Sequence, residues 1–320
     1  MTQRIRIYQQ GAPAVLHYET FDLEQPSREQ VLIRHEAIGV NFVDTMFRDG
    51  TFKVPLPFSM GVEAAGVVEA VGRDVQHLKA GDRVGYFFAF GAYADRRVID
   101  ASALIKLPDD IASEQSAGLL SKGLTAWSLL KHAHRVKAGE SVVVHGASGG
   151  VGSLLARWAK SLGARVIATV GSAGKAEIVE GWGLDAVLRS DEPDLVGQIN
   201  AANGGPGVDV VYDLIGRQTL DASISALRNG GDLIHAGNAS GGITADPARL
   251  AALGIRYLQP STPHYVNAQN QGTAASELFE RFREGALGHL ELARYRLDEA
   301  ALAHHAIAAR KHTGSIVLIP

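Results

Sequence analysis

No cysteine occurs among the 320 residues of the chain. That excludes disulfide bridges, thiolate catalysis and any metal site built on cysteine sulfur. No run of about eighteen apolar residues is present either, so no membrane-crossing helix is expected. The opening stretch, MTQRIRIYQQG, lacks the apolar core of a secretory leader. A soluble, cytoplasmic protein is the expectation. Positive charge is not in excess, since 31 Lys and Arg stand against 34 Asp and Glu for a net charge of −3. With no basic and aromatic stripe besides, nucleic acid is not an expected partner.

What is present supports two domains. At 46% apolar and 20% charged residues the chain can bury substantial cores, and its length fits two domains of ordinary size. The most informative stretch is 141–152, SVVVHGASGGVG. Residues 141–145 are β-branched and apolar at their centre, the pattern of a buried parallel strand. Over 151–162, Leu154, Leu155, Trp158, Ala159 and Leu162 follow at helical spacing. Gly146, Gly149 and Gly152 lie three apart at the junction. Such glycines allow a tight turn, close approach of backbone to a pyrophosphate, and close seating of helix on strand. The helix N-terminus then offers N–H groups to phosphate oxygens. A glycine-rich turn in an ordinary α/β fold is the competing reading, but the strand, turn and helix context favours a dinucleotide. Gly146, Ser148, Gly149, Gly150, Val151 and Gly152 are the candidate pyrophosphate cradle.

The next strand, 165–170, ends without the Asp or Glu that an NAD-binding fold uses to hold the adenosine 2′-hydroxyl. Gly171-Ser172-Ala173-Gly174-Lys175 follows instead. A 2′-phosphate gains a charge-assisted contact from lysine, whereas a carboxylate would repel it. NADPH is therefore expected over NADH, with Ser172 and Lys175 on the phosphate. Lys175 solvating the start of the next helix is the plainer alternative. Arg189, after a third strand at 186–188, and Arg310-Lys311 near the C-terminus are further candidates for the same pocket.

From residue 3 to about 107 the chain reads as short strands separated by turns, a largely antiparallel β domain. After Pro108-Asp109-Asp110 a helix-prone stretch covers 113–134. Strand and helix units then alternate, with strands at 141–145, 165–170, 186–188, 208–212, 232–236 and 256–258. Six such strands with intervening helices describe a doubly wound Rossmann sheet in an α/β protein. A helix over 273–284 and a strand over 315–319 follow, so the first domain is expected to be discontinuous and completed by the C-terminus.

Several blocks now carry a family resemblance. They are Ala37-Ile38-Gly39-Val40-Asn41-Phe42-Val43-Asp44, Gly61-Val62-Glu63-Ala64-Ala65-Gly66-Val67-Val68, Ala80-Gly81-Asp82-Arg83-Val84, Lys122-Gly123-Leu124-Thr125-Ala126 and the glycine turn. Gly237-Asn238-Ala239-Ser240-Gly241 and Thr313-Gly314 extend the match. In this order they resemble the zinc-independent, zeta-crystallin-like quinone oxidoreductases of the medium-chain dehydrogenase/reductase superfamily. The resemblance implies a GroES-like catalytic domain, 1–123 and 262–320, into which a Rossmann NADPH-binding domain, 124–261, is inserted. Members of the family are commonly dimers or tetramers; a homodimer is expected here, and the apolar edge strand 256–258 could extend the sheet across a two-fold axis.

Zinc alcohol dehydrogenases of this superfamily place a cysteine within the segment 39–44 and a histidine before the Glu of a Gly-His-Glu block. This chain has Asn41 and Val62 there. A catalytic zinc needs three protein ligands and one open position, and two expected ligands are missing. His132 with His134, and His304 with His305, lack neighbouring acids in a recognisable ligand pattern and read as solvent-facing or core-edge residues. No metal is expected.

By resemblance the active site lies in a cleft between the domains, with Asn41, Asp44, Phe52 and Thr125 approaching the nicotinamide and the acceptor. Asn41 can donate through its amide to a carbonyl oxygen that gains negative charge, or it can be a turn amide bonding its own backbone. Asp44 can shuttle a proton or hold the loop. Phe52 offers an apolar wall where the family often has a tyrosine, and Thr125 lines the cleft or caps its helix. Asn238 falls where such folds approach the nicotinamide ribose or amide. Where many family members carry a tyrosine flanking the 2′-phosphate, this chain has Arg189-Ser190, and Arg189 is predicted to replace it in part. The expected reaction is NADPH-dependent reduction of a quinone or another small conjugated carbonyl. An enal or enone reductase is the nearest alternative, and an NADPH-binding regulatory or structural protein without turnover is one of another class.

Overall fold

A computed structural model describes residues 1–309 and 314–320. The chain forms two units. One comprises Met1–Lys122, Ala268–Phe279 and Leu290–Pro320; the other comprises Gly123–Asn267 and Glu280–His289. Residues 262–267 and 280–289, which the sequence places with the first domain, group with the second. The physical ties are the hydrogen bond of 2.9 Å between the Thr125 and Thr262 hydroxyls, Tyr265 stacked on His132, and Arg157 donating to Leu287 O at 2.9 Å.

The second unit holds a six-stranded, wholly parallel sheet in the order Ala186–Arg189, Arg165–Val170, Ser141–His145, Val208–Asp213, Leu227–His235, Arg256–Leu258. Numbered along the chain this is 3-2-1-4-5-6, the Rossmann order, which reverses direction beside the first strand. That strand is buried along its whole length, as a central parallel strand covered on both faces must be. Val143, Ile167, Val211 and Leu233 from four neighbouring strands share one core beneath the helices. The fifth strand begins five residues before the 232 expected from sequence. Asn229-Gly230-Gly231 reads as a turn, yet the strand runs through it with an irregular register against Val208 and Val210.

The first unit is built on a mainly antiparallel seven-stranded sheet and a smaller three-stranded one. Its long strand Gln30–Val40 alternates buried and partly buried residues and pairs with both Glu63–Val71 and Arg96–Asp100. Among the described residues of this unit, only Leu292–Arg296 and Ser315–Ile319 pair in parallel. A helix, Phe42–Asp49, interrupts the strands; Asn41 stands at its N-cap and Gly50 ends it at φ +93°. The helix Ser113–Ser128 passes into one wide turn, Leu129–Ala133, rather than continuing to 134. There His134 turns extended and bonds Asp232 at 2.5 Å and Glu140 at 3.1 Å. Among the described residues, no helix is long and apolar enough to cross a membrane.

Candidate active site

The strand Ser141–His145 leads into the glycine turn at the point where the sheet order reverses. Gly146 takes φ +78°, and a Cβ on Gly152 would lie 2.3 Å from the Gly146 carbonyl oxygen. Only glycine at both positions lets strand and helix come this close. Gly146 and Ala147 both donate to Thr169 O at 3.1 Å, fixing the turn to the neighbouring strand. Gly149 caps the helix Gly150–Ser161, and Ser153 N–H is the group that bonds back to Gly149 O, at 2.8 Å. The N–H groups of Gly150, Val151 and Gly152 thus lie in a first turn with no helical acceptor, at the positive end of the helix dipole. With the buried Ser148 they form a set of donors that fits a pyrophosphate.

Ser172 and Lys175 open the next helix. Ser172 is the N-cap of Ala173–Glu180, and its hydroxyl makes no capping bond. Lys175, half-buried in the first turn, has no carboxylate partner among the described residues. Arg189 differs, because its guanidinium already holds Asp191 at 2.7 Å and Glu192 at 2.9 Å. A phosphate reaching Arg189 would meet both carboxylates, whereas Lys175 has none beside it among the described residues. Arg310 lies outside the described residues. Asn238 is exposed in a braced loop: His235 Nε2 bonds Gly237 O at 2.8 Å, and Ser240 N–H donates to Ile215 O at 2.7 Å.

In the first unit a second constellation surrounds Asn41. Its side-chain nitrogen donates to Glu63 Oε2 at 2.8 Å, and its side-chain oxygen accepts from Lys122 Nζ at 3.1 Å. Glu63 also accepts from Ser121 N–H at 2.6 Å, and Gly39 makes room for it, since a Cβ there would lie 2.3 Å from Glu63 Oε2. Burial pushes the Glu63 carboxyl up, against Lys122 and the N–H groups of Ser121 and Asn41. Asn41 is thus held by side chains from a strand and a helix rather than by its own turn alone.

Asp44 sits in the same loop with a different task. Its Oδ2 accepts from Asn41 N–H at 2.8 Å and from Tyr93 Oη at 3.1 Å. Tyr93 Oη also meets His304 Nε2 at 3.0 Å, and His304 Nδ1 meets Arg48 at 3.4 Å. A guanidinium only donates, so the direction is set: Arg48 to His304, His304 to Tyr93, Tyr93 to Asp44. Burial nevertheless pushes the Asp44 carboxyl up to about 7, the two donors opposing it, and its Oδ1 has no partner among the described residues. His304 is therefore not a solvent-facing or core-edge residue. It is fully buried in a polar chain, and burial lowers it to about 3.

The remaining candidates are more peripheral. Phe52 is 42% exposed, its ring 5.5 Å from that of Phe47, which also packs against Phe58 and Phe90. Thr125 lies inside the helix Ser113–Ser128, its hydroxyl bonded to Thr262, so it is not a cap. The structure brings Asn41 and Asp44 into one network and the six cradle residues into one turn. Sequence reasoning missed Glu63, Lys122, Tyr93, Arg48 and His304. A signal was there: Glu63 and Lys122 are each a charge set among small and apolar residues, EAAGVV and SKGLTA.

A zinc ion does not fit the donors present. Around Glu63 stand an amide, an ammonium and Val62, and among the described residues no group of three or more His, Asp or Glu is arranged to hold a metal. His134 does lie between two carboxylates, but Asp232 is also paired with Arg256.

Comparison with known proteins places these features. Residues 27–109 match the family model of the alcohol dehydrogenase GroES-like domain, and residues 150–281 match that of the zinc-binding dehydrogenases. A quinone oxidoreductase of Salmonella typhimurium is 38% identical, with all of both chains covered. A 2-haloacrylate reductase of a Burkholderia species is also 38% identical, over 98% of each chain. The crystal structure of the Escherichia coli quinone oxidoreductase complexed with NADPH superposes with a TM-score of 0.95 at 38% identity, covering both chains completely. With full-length relatives at this level and both domain models in order along it, the chain belongs to the quinone oxidoreductase family of the medium-chain dehydrogenase/reductase superfamily.

Proposed function

We propose that the protein is an NADPH-dependent oxidoreductase that reduces a quinone, and that it does so without zinc. The observation that carries this reading is the strand, glycine turn and helix at 141–161, followed by Ser172 and Lys175 where an NAD-specific fold has an acid. NADPH, when bound, supplies the reducing equivalents. The turn 146–152 binds the pyrophosphate through the first-turn N–H groups, and Ser172 and Lys175 hold the 2′-phosphate. Asn238 and its braced loop orient the nicotinamide end. Asn41 donates an N–H to the acceptor's carbonyl oxygen as negative charge gathers there. Asp44, tied to Asn41 N–H and Tyr93, holds the Asn41 loop, while Phe52 offers an apolar wall to the ring of the acceptor.

A second reading is supported by the 2-haloacrylate reductase relative: reduction of a conjugated carbon–carbon double bond from the same cofactor. Both acceptors are flat and conjugated, and both place charge on an oxygen that Asn41 can meet. The protein is proposed to act in the cytoplasm as a homodimer, with the strand Arg256–Leu258, at the edge of its sheet, as the contact. NADPH oxidation in chelator-treated protein, with NADH in parallel, tests these statements against an ortho-quinone and a 2-alkenal. Quinone-dependent turnover that prefers NADPH is expected. Turnover of the alkenal alone selects the second reading, and NADPH binding without turnover of either overturns both in favour of a cofactor-binding regulatory role.

A further inference from the structure

Asn41, Glu63 and Lys122 are all buried, and their bonding determines which way the amide points. An ammonium can only donate, and Lys122 Nζ faces the Asn41 side-chain oxygen at 3.1 Å and Val40 O at 3.5 Å. Glu63 accepts at both of its oxygens, from Ser121 N–H and from the Asn41 amide, and no acceptor faces it. The amide therefore cannot rotate by half a turn without setting its NH2 group against the ammonium and its oxygen against the carboxylate. One of its two N–H bonds is used by Glu63. The other has no partner among the described residues, so it is the donor that the arrangement leaves over.

The two charges also act on that donor. Lys122 draws electron density towards the amide oxygen, and hydrogen bonds in such a chain polarise one another. Lys122 Nζ lies 3.8 Å from Glu63 Oε2, so the two charges balance each other within the buried group.

We propose that Glu63 and Lys122 are positioning residues that lock Asn41 as a single-proton donor to the carbonyl oxygen of the acceptor. They act through Asn41 and do not themselves touch the acceptor. The proposal rests on the reading of this protein as a reductase of conjugated carbonyls.

The test removes both charges together, as Glu63→Gln with Lys122→Met, so that no unpaired charge is left buried. Wild type, this double variant, Asn41→Ala and the triple variant are compared for quinone turnover with NADPH, for NADPH affinity by fluorescence titration, and for thermal melting. The double variant is expected to lose at least about tenfold in kcat with NADPH affinity within about twofold of wild type. In the Asn41→Ala background the same two substitutions should cost no further activity, because residues acting through one amide are not additive. Lys122→Arg, which keeps the charge and a donor, should retain more activity than Lys122→Met.

Double-variant kcat within about twofold of wild type, or a full additional loss on top of Asn41→Ala, overturns the proposal. If the double variant does not fold, Glu63→Gln with Lys122→Gln decides by the same limits, since two neutral amides can each present an oxygen or an NH2 group and so no longer fix which way Asn41 points. No turnover in wild type itself, with NADPH bound, is the distinct outcome that overturns the functional reading and the proposal with it.

Discussion

Tyr93 donates its phenol proton to Asp44 Oδ2 over 3.1 Å, under the first turn of the helix that Asn41 caps. Tyr93→Phe would leave Asp44 with one donor fewer and His304 Nε2 without its acceptor, in a setting where both are buried. A loss of about 1–3 kcal/mol in unfolding free energy is expected for such stranded polar groups, read from urea unfolding curves at pH 7. A change below about 0.5 kcal/mol would mean that the chain from Arg48 to Asp44 contributes little.

Gly152→Ala is expected to abolish tight NADPH binding. Its Cβ would stand 2.3 Å from Gly146 O and 3.0 Å from Ala147 Cα, both backbone atoms of the turn itself. Strand and helix must then separate, which moves the first-turn N–H groups. Equilibrium dialysis with NADPH should show at least about tenfold weaker binding, a difference of about 1.4 kcal/mol. Retention of wild-type affinity would take the pyrophosphate away from this turn.

Lys175→Ala should discriminate between cofactors. Loss of a charge-assisted bond to the 2′-phosphate is worth about 1.5–3 kcal/mol, so the KM for NADPH should rise about ten- to hundredfold. The KM for NADH should stay within about twofold, because NADH carries no phosphate at that place. Equal effects on both cofactors would sink the assignment. Arg189→Ala should change the ratio less, since that guanidinium is shared by Asp191 and Glu192.

Acid should destabilise the first unit through two histidines. Burial holds both His35 and His304 at about 3, far below the usual 6.5 of the unfolded chain. Between those values the unfolded chain takes up protons that the folded one refuses, so stability falls as pH drops below about 6.5. Each group contributes a slope of up to about 1.4 kcal/mol per pH unit. Asp44, raised to about 7, runs the other way: its share of stability falls as pH rises from about 4 to about 7. His35→Gln should therefore flatten the decline in unfolding free energy between pH 6.5 and 5. An unchanged slope would show that His35 takes up its proton within the fold.

The parallel sheet was legible because its strands are local runs of β-branched residues, and the glycine turn because its spacing is itself the constraint. Strand ends shifted where local signals mislead: Gly230-Gly231 looks like a turn but lies within Leu227–His235, in the stretch that the pairing with Val208–Asp213 skips between Leu227 and Asp232. The helix Phe42–Asp49 was not expected, since its eight residues follow a long strand without a break in composition.

Sequence by itself determined the two-domain α/β plan, the dinucleotide turn and the missing acid after the second strand, because each is written in residues close together in the chain. Only the tertiary structure decided what Asn41 and Asp44 bond to. Glu63 and Lys122 reach Asn41 from 22 and 81 positions away, and Tyr93, 49 positions from the Asp44 it bonds, meets His304 across 211. The same holds for Arg189, whose charge looks available in sequence until the fold of its loop hands it to Asp191 and Glu192. A charge acquires its role from its partners and its burial, and both are properties of the folded chain.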